Sequence, residues 1–320
     1  QITSDIGHAL HADAMKKNFT SKCFVGNTIL STYCKCRNIR DAEDIFSELS
    51  QHDVVSWSVL MSGYLEVGQG TKALQLYSWM QKQGISPDDR TLMFALQACC
   101  CLIDENEPLN EDSKLSVKSI LEIGHALHAD AVRSGFASNV FVENTILGIY
   151  GKCRSVREAE NVFSRTSKHV VSWNAMLSVY VECNQGIYAL FLYLQMQEEQ
   201  VYPDQLTFTI VIRACSSIVD KEEDFHVDGL STKAIIALEI GKALHSNAKR
   251  NKFMYDVPLI NTLLCMYSKC GALEKAQELF DELPIRDTIS WNLLISGYSH
   301  HGLANEALFC FKKMQDQGIC

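Results

Sequence analysis

Residues 54–88 read VVSWSVLMSGYLEVGQGTKALQLYSWMQKQGISPD. They return at 170–204 as VVSWNAMLSVYVECNQGIYALFLYLQMQEEQVYPD, and from 288 as TISWNLLISGYSHHGLANEALFCFKKMQDQGIC. Trp57, Leu60 and Tyr64 recur at intervals of three and four, and so do Ala73, Leu76, Tyr77 and Met80. That spacing puts each set on one face of an α-helix rather than on a strand. Gly84 suits a left-handed C-terminal cap, and Pro87 stops continuation. The stretch is therefore a helical hairpin. Ala73, with Ala189 and Ala307 in the copies, is small enough for its two helices to approach closely. Neither helix buries its apolar stripe alone, so the hairpins must stack.

Working outward, a second hairpin precedes each copy: 23–53 (CFVGNTILSTYCKCRNIRDAEDIFSELSQHD), 140–169 and 257–287. Asn27, Asn144 and Asn261 head them at two intervals of 117 residues. Ile29, Leu30 and Tyr33 line the first helix, and Ala42, Ile45 and Phe46 the second. A longer unit follows each standard one, at 89–139 and 205–256, carrying an acidic insert and then an IGxALH helix. The division is thus 1–22 partial long unit, 23–53 short, 54–88 standard, 89–139 long, 140–169 short, 170–204 standard, 205–256 long, 257–287 short and 288–320 standard but truncated. The start at Gln1 and the early end read as an excerpt of a longer protein. The expectation is one all-helical array of about 17 helices, with 101–118 and 219–233 as surface loops free of strands.

Composition limits the alternatives. The chain is 47% hydrophobic and 21% charged, ample for a continuous core. No apolar run approaches the roughly 18 residues of a membrane span. The net charge of −9 argues against indiscriminate polyanion binding. Much of it sits in the inserts: Asp104, Glu105, Glu107, Glu111 and Asp112 in the first, and Asp220, Glu222, Glu223, Asp224 and Asp228 in the second. Thirteen cysteines show no CxxC spacing, so they read as reduced structural thiols, with Cys34 and Cys265 among apolar positions. His8 with His11, and His125 with His128, could offer metal ligands at helical spacing. Lys242 breaks the pattern in the third copy and no further ligand stands at a fixed offset, so these histidines read as packing residues and no metal is expected.

NTILSTYCKC, DAEDIFSEL, VVSWSVLMSGY, KALQLYSWMQKQGISPD and IGHALHA resemble pentatricopeptide repeats, in the plant-type array of alternating short, standard and long motifs. The resemblance covers essentially the whole chain. It departs in the two inserts, in the one-residue-short unit 140–169 and at Pro258 near a helix start. It implies a right-handed superhelical solenoid binding single-stranded RNA at one base per unit. The fifth and last residues of a unit read the base edge, and the second residue is an apolar wedge. Unstacked bases offer their pairing edges, and short polar side chains can donate or accept there.

Carried over residue by residue, Asn27 and Asp53 imply U, Ser58 and Asp88 G, and Met93 and Asn139 little discrimination. Asn144 and His169 form an unusual pair that implies a pyrimidine. Asn174 and Asp204 imply U, Thr209 and Asp256 G, and Asn261 and Asp287 U; Asn292 lacks its partner. The implied wedges are Phe24, Val55, Phe141, Val171, Leu206 and Ile289. Each Asn or Asp also suits a helix cap. Lys35, Lys152 and Lys269, near the ends of first helices, either meet phosphate or complement the helix dipole.

The family resemblance further implies an organellar RNA-processing role, with cytidine-to-uridine editing foremost, in mitochondrion or chloroplast, with organellar transcripts and other editing factors as partners. No cofactor, membrane or small-molecule substrate is expected. The zinc deaminase chemistry of editing needs H-x-E and P-C-x-x-C, and neither occurs in this sequence, so the chain itself reads as a non-enzyme. The alternative is a protein-interaction scaffold of helical hairpins. A constant 34-residue period is expected there, and the alternating lengths do not fit it.

Overall fold

The computed structural model describes residues 11, 12, 16, 23–105, 117–166, 168–219, 226–227, 230–283 and 285–319. His8, most of the partial unit 1–22 and the middle of each insert lie outside them. The chain divides into two compact units, 1–167 and 168–320. Sixteen α-helices occur among the described residues.

In the first unit four hairpins follow one another: Cys23–Lys35 with Ile39–Glu48, Val54–Glu66 with Gly70–Lys82, Asp89–Glu105 with Val117–Arg133, and Val140–Lys152 with Val156–Phe163. In the second unit the order is Val170–Glu182 with Gly186–Glu198, Gln205–Val219 with Thr232–Arg250, Val257–Lys269 with Leu273–Asp281, and Thr288–His300 with Ala304–Asp316. Within each unit the first helix of a hairpin packs against its own second helix and against the first helix of the next hairpin. First helices therefore form one row and second helices the other. The all-helical, hairpin-by-hairpin class expected from the sequence is what the chain adopts.

The apolar stripes meet as the spacing requires. Trp57, Trp173 and Trp291 are fully buried, as are Tyr33, Tyr150 and Tyr267. Ala73, Ala189 and Ala307 are buried between helices. Two successive first helices approach closely at Gly63, where a Cβ would stand 2.5 Å from Cys34 Sγ. Gly84 closes its helix at φ +75°, whereas Gln200 adopts φ +57° at the corresponding place. Pro258 sits in the first turn of its helix, where no amide partner is lost.

The histidines pack as the repeat requires. Nδ1 of His11, His128 and His245 lies 3.0, 2.9 and 2.8 Å from the hydroxyls of Tyr33, Tyr150 and Tyr267. Burial lowers the pKa of His128 and His245, which favours the neutral ring. The twelve cysteines among the described residues are free thiols, and burial pushes Cys34, Cys99, Cys215 and Cys270 up to about 12. Such thiols are inert hydrophobes at neutral pH.

The inserts depart from the loops expected. In the first, helix continues to Glu105 and resumes at Val117. In the second, His226–Val227 pairs antiparallel with Leu230–Ser231, a minimal ladder where no strand was expected. The sequence reason is the Asp228-Gly229 dipeptide between Val227 and Leu230, a hairpin signal that the acidity of the segment obscured.

Candidate nucleic-acid interface

The first turns of the first helices hold the residues singled out by the repeat. The six side chains expected as wedges are apolar and exposed: Phe24 84%, Phe141 74%, Ile289 59%, Leu206 55%, Val171 54% and Val55 49%; the second residues of the other two units are Arg90 and Pro258. A helix that buries its own stripe against two neighbours has no packing reason to carry a solvent-facing apolar residue at this place in six units. Water-exposed apolar groups at a fixed position are suited to slide against base faces.

Behind the wedges sit the paired polar residues. Asn27 Nδ2 donates to Asp53 Oδ1 at 3.0 Å, and Asn174 Nδ2 donates to Asp204 Oδ1 at 3.0 Å. Each aspartate is also a helix cap, since Asp53 accepts from the Ser56 amide and Asp204 from the Thr207 amide, both at 2.8 Å. Capping and pairing are thus one arrangement: the cap fixes the carboxylate and the carboxylate fixes the amide. Burial pushes the Asp53 carboxyl up. Hydrogen bonds from the Ser56 amide, the Cys23 thiol, the Ser56 hydroxyl and Asn27 outweigh that and hold it at about 2. Asp204 is likewise lowered: burial opposes, and the bonds from Thr207 and Asn174 prevail.

Within either compact unit the other expected pairs are not joined among the described residues. Ser58 donates to the Val55 carbonyl at 2.9 Å, while Asp88 caps its helix through Thr91. Met93 is half-buried, and Asn139 caps its helix at the Phe141 amide. Asn144 is half-buried with its Oδ1 unpartnered, and His169 stands at a helix N-cap without a side-chain capping bond. Thr209 donates to the Gln205 carbonyl and Asp256 caps at Leu259. Asn261 is buried with Oδ1 unpartnered, and Asp287 caps at Ser290. Asn292 is exposed. Lys35 and Lys269 are exposed and Lys152 half-buried, all in the last turns of their helices.

Three groups were missed by reading the sequence for pairs alone. Cys23 donates its thiol to Asp53 Oδ2 at 3.1 Å. Ser56 and Thr207, three residues after Asp53 and Asp204, complete the caps and are fully buried. The signal for the last two was present as a capping-box pattern, Asp-x-x-Ser and Asp-x-x-Thr.

Stacked helical hairpins, with an exposed apolar residue in the first turn of six first helices and a joined Asn–Asp pair at two of them, define a class of repeat protein. Comparison with known proteins gives the family. A PPR repeat family model matches residues 52–101 and 168–217, and a PPR repeat model matches 27–54, 260–287 and 289–319, together more than half of the chain. Pentatricopeptide repeat-containing protein At5g27110 of Arabidopsis thaliana is 31% identical over 314 residues, 98% of this chain and 41% of that protein. The chloroplastic relative At4g18520 and the mitochondrial relative At3g24000, from the same plant, are 28% and 30% identical over 98% of this chain, covering 46% and 44% of those proteins. The chain spans less than half the length of these relatives. Among solved structures, PPR10 in complex with an 18-nucleotide psaJ RNA element superposes with a TM-score of 0.74 over 99% of this chain and 43% of that one, at 16% identity. The chain belongs to the pentatricopeptide repeat family and shares its fold.

Proposed function

We propose that this chain is a sequence-specific single-stranded RNA-binding segment that reads one base per unit along its array of units. The observation that carries the proposal is the recurrence of an exposed apolar second residue beside a polar fifth residue, with Asn27–Asp53 and Asn174–Asp204 preformed at 3.0 Å. A preformed pair loses little side-chain entropy when a base arrives. The wedge then shields the base-edge hydrogen bonds from water. The full protein acts in organellar RNA processing, cytidine-to-uridine editing being the favoured outcome, and its catalyst lies outside this chain. Relatives named as chloroplastic and mitochondrial support either organelle. Organellar transcripts and other editing factors are its partners.

A second reading has one observation in its favour. Ile187, Tyr188, Phe191 and Leu194 stand exposed on helix Gly186–Glu198, a stripe suited to a protein partner. Gel-shift titration of the chain separates the two. RNA binding predicts retention of uridine-containing single-stranded RNA and weak retention of double-stranded DNA. Equal or absent retention of both would leave the scaffold reading.

A further inference from the structure

Thr207 opens the question of what holds the amide of Asn174. Its Oγ1 lies 2.7 Å from Asn174 Oδ1, 2.8 Å from Asp204 Oδ1 and 3.1 Å from the Asp204 amide nitrogen. A hydroxyl has one proton to give. Asp204 Oδ1 already accepts from the Thr207 amide and from Asn174 Nδ2, whereas Asn174 Oδ1 has no other donor among the described residues. The proton therefore goes to Asn174, and the hydroxyl oxygen accepts from the Asp204 amide. The amide oxygen is then committed inward, and the second Nδ2 hydrogen is the group left to offer.

The other copies differ at this point. Ser56 gives its hydroxyl to Asp53 Oδ1 and Ser290 gives its own to the Asp287 carbonyl, and Oδ1 of Asn27 and of Asn261 has no partner among the described residues. Asn27 is held through Nδ2 alone, by Asp53 at 3.0 Å and by the Cys23 sulfur at 3.7 Å, and Asn261 has no such bond among the described residues. Threonine, stiff at χ1, also holds its hydroxyl more firmly than serine does.

We propose that Thr207, a residue of the following unit, is a positioning residue for base recognition. It fixes the Asn174 amide with oxygen inward, so that the site presents a donor and selects a base with a carbonyl at that edge over one with an amino group. Uracil O4 against cytosine N4 is the deciding contrast. The inference rests on the base-reading function above. It orders discrimination of U over C as strongest at Asn174, weaker at Asn27 and weakest at Asn261.

The test measures affinity for a selected RNA and its single U-to-C variants, using the full chain and the variants Thr207→Val, Thr207→Ser and Asn174→Thr. Thr207→Val should reduce the U-to-C ratio at the nucleotide read by Asn174 by roughly fivefold, the worth of one hydrogen bond. Ratios at other nucleotides should not change, and Thr207→Ser should lower the ratio toward the one read at Asn27, where a serine stands at the same place. Thr207→Ala replaces the valine variant if thermal melting shows that valine disturbs the fold. If removing the hydroxyl leaves the ratio unchanged while Asn174→Thr alters base preference, the role of Thr207 is wrong and base reading stands. If Asn174→Thr also leaves preference unchanged, base reading fails and this inference with it.

Discussion

The sites at Asn27 and Asn174 make the same bond and are built differently. In the first, Asp53 is held by Ser56 and by the thiol of Cys23, and the Asn27 oxygen is buried without a partner among the described residues. In the second, Val170 stands where Cys23 does, and Thr207 joins carboxylate and amide into one closed network. Two residues per unit are enough to name the pair. They are not enough to fix its orientation, because the third group comes from the start of the next unit. A buried acceptor left unpaired costs about 1–3 kcal/mol, so the first site carries a penalty that the second avoids.

The largest effect should be common to both sites, because both rest on the same frame. Trp57→Ala and Trp173→Ala should each destabilise the chain by about 3–5 kcal/mol in urea titration. A small effect at either would mean that the repeated tryptophan stripe is not the core.

The caps come next. Asp53→Ala and Asp204→Ala should each cost about 1 kcal/mol, within the range of a lost N-cap. Asp53→Ala should also relax base preference more, because Asn27 has no bond to its oxygen among the described residues and depends on Asp53, whereas Thr207 still holds Asn174 after Asp204→Ala. Equal relaxation in binding selections would remove the distinction between the sites.

Acid sharpens the comparison at Asp53. Its folded pKa, at about 2, lies below the ordinary carboxylate value. The stability it contributes is therefore complete above about pH 4 and is lost as pH falls toward 2. Asp204 shifts in the same direction. Asp53→Asn should flatten the fall in melting temperature over that window, and an unaltered profile would show that the bonds to Asp53 do not stabilise the fold.

The smallest effect concerns the ends of the second helices. Gln200 holds φ +57° where the first copy has Gly84 at +75°. Gln200→Gly should stabilise by about 1 kcal/mol and Gly84→Ala should destabilise by about the same. Calorimetry of both variants tests whether the two turns are equivalent.

The same contrast shows what was legible beforehand. Trp57, Leu60 and Tyr64 announced their helix because packing of a long stripe overrides local detail. Asn174 and Asp204 were visible as a pair because the family resemblance joins the fifth and last residues of a unit. Ser58 and Asp88 have the same spacing, yet Ser58 turns to the Val55 carbonyl: a serine is too short for the reach that an asparagine makes. Thr207 lay in view as a capping residue, but its bond to Asn174 depends on a hydroxyl rotamer that no spacing reveals. The ladder at His226–Val227 escaped because acidity marked the whole insert as loop.

The central claim is that Asn174 reads a base rather than only supporting a cap. Binding selection on randomised single-stranded RNA, for the chain and for Asn174→Thr, tests it directly. Threonine can also serve a capping role, so a purely structural asparagine predicts two identical selected motifs. Base reading predicts that the preferred nucleotide changes from U toward G at one position and nowhere else, at a cost of about 1–3 kcal/mol against the original RNA. Identical motifs would contradict it.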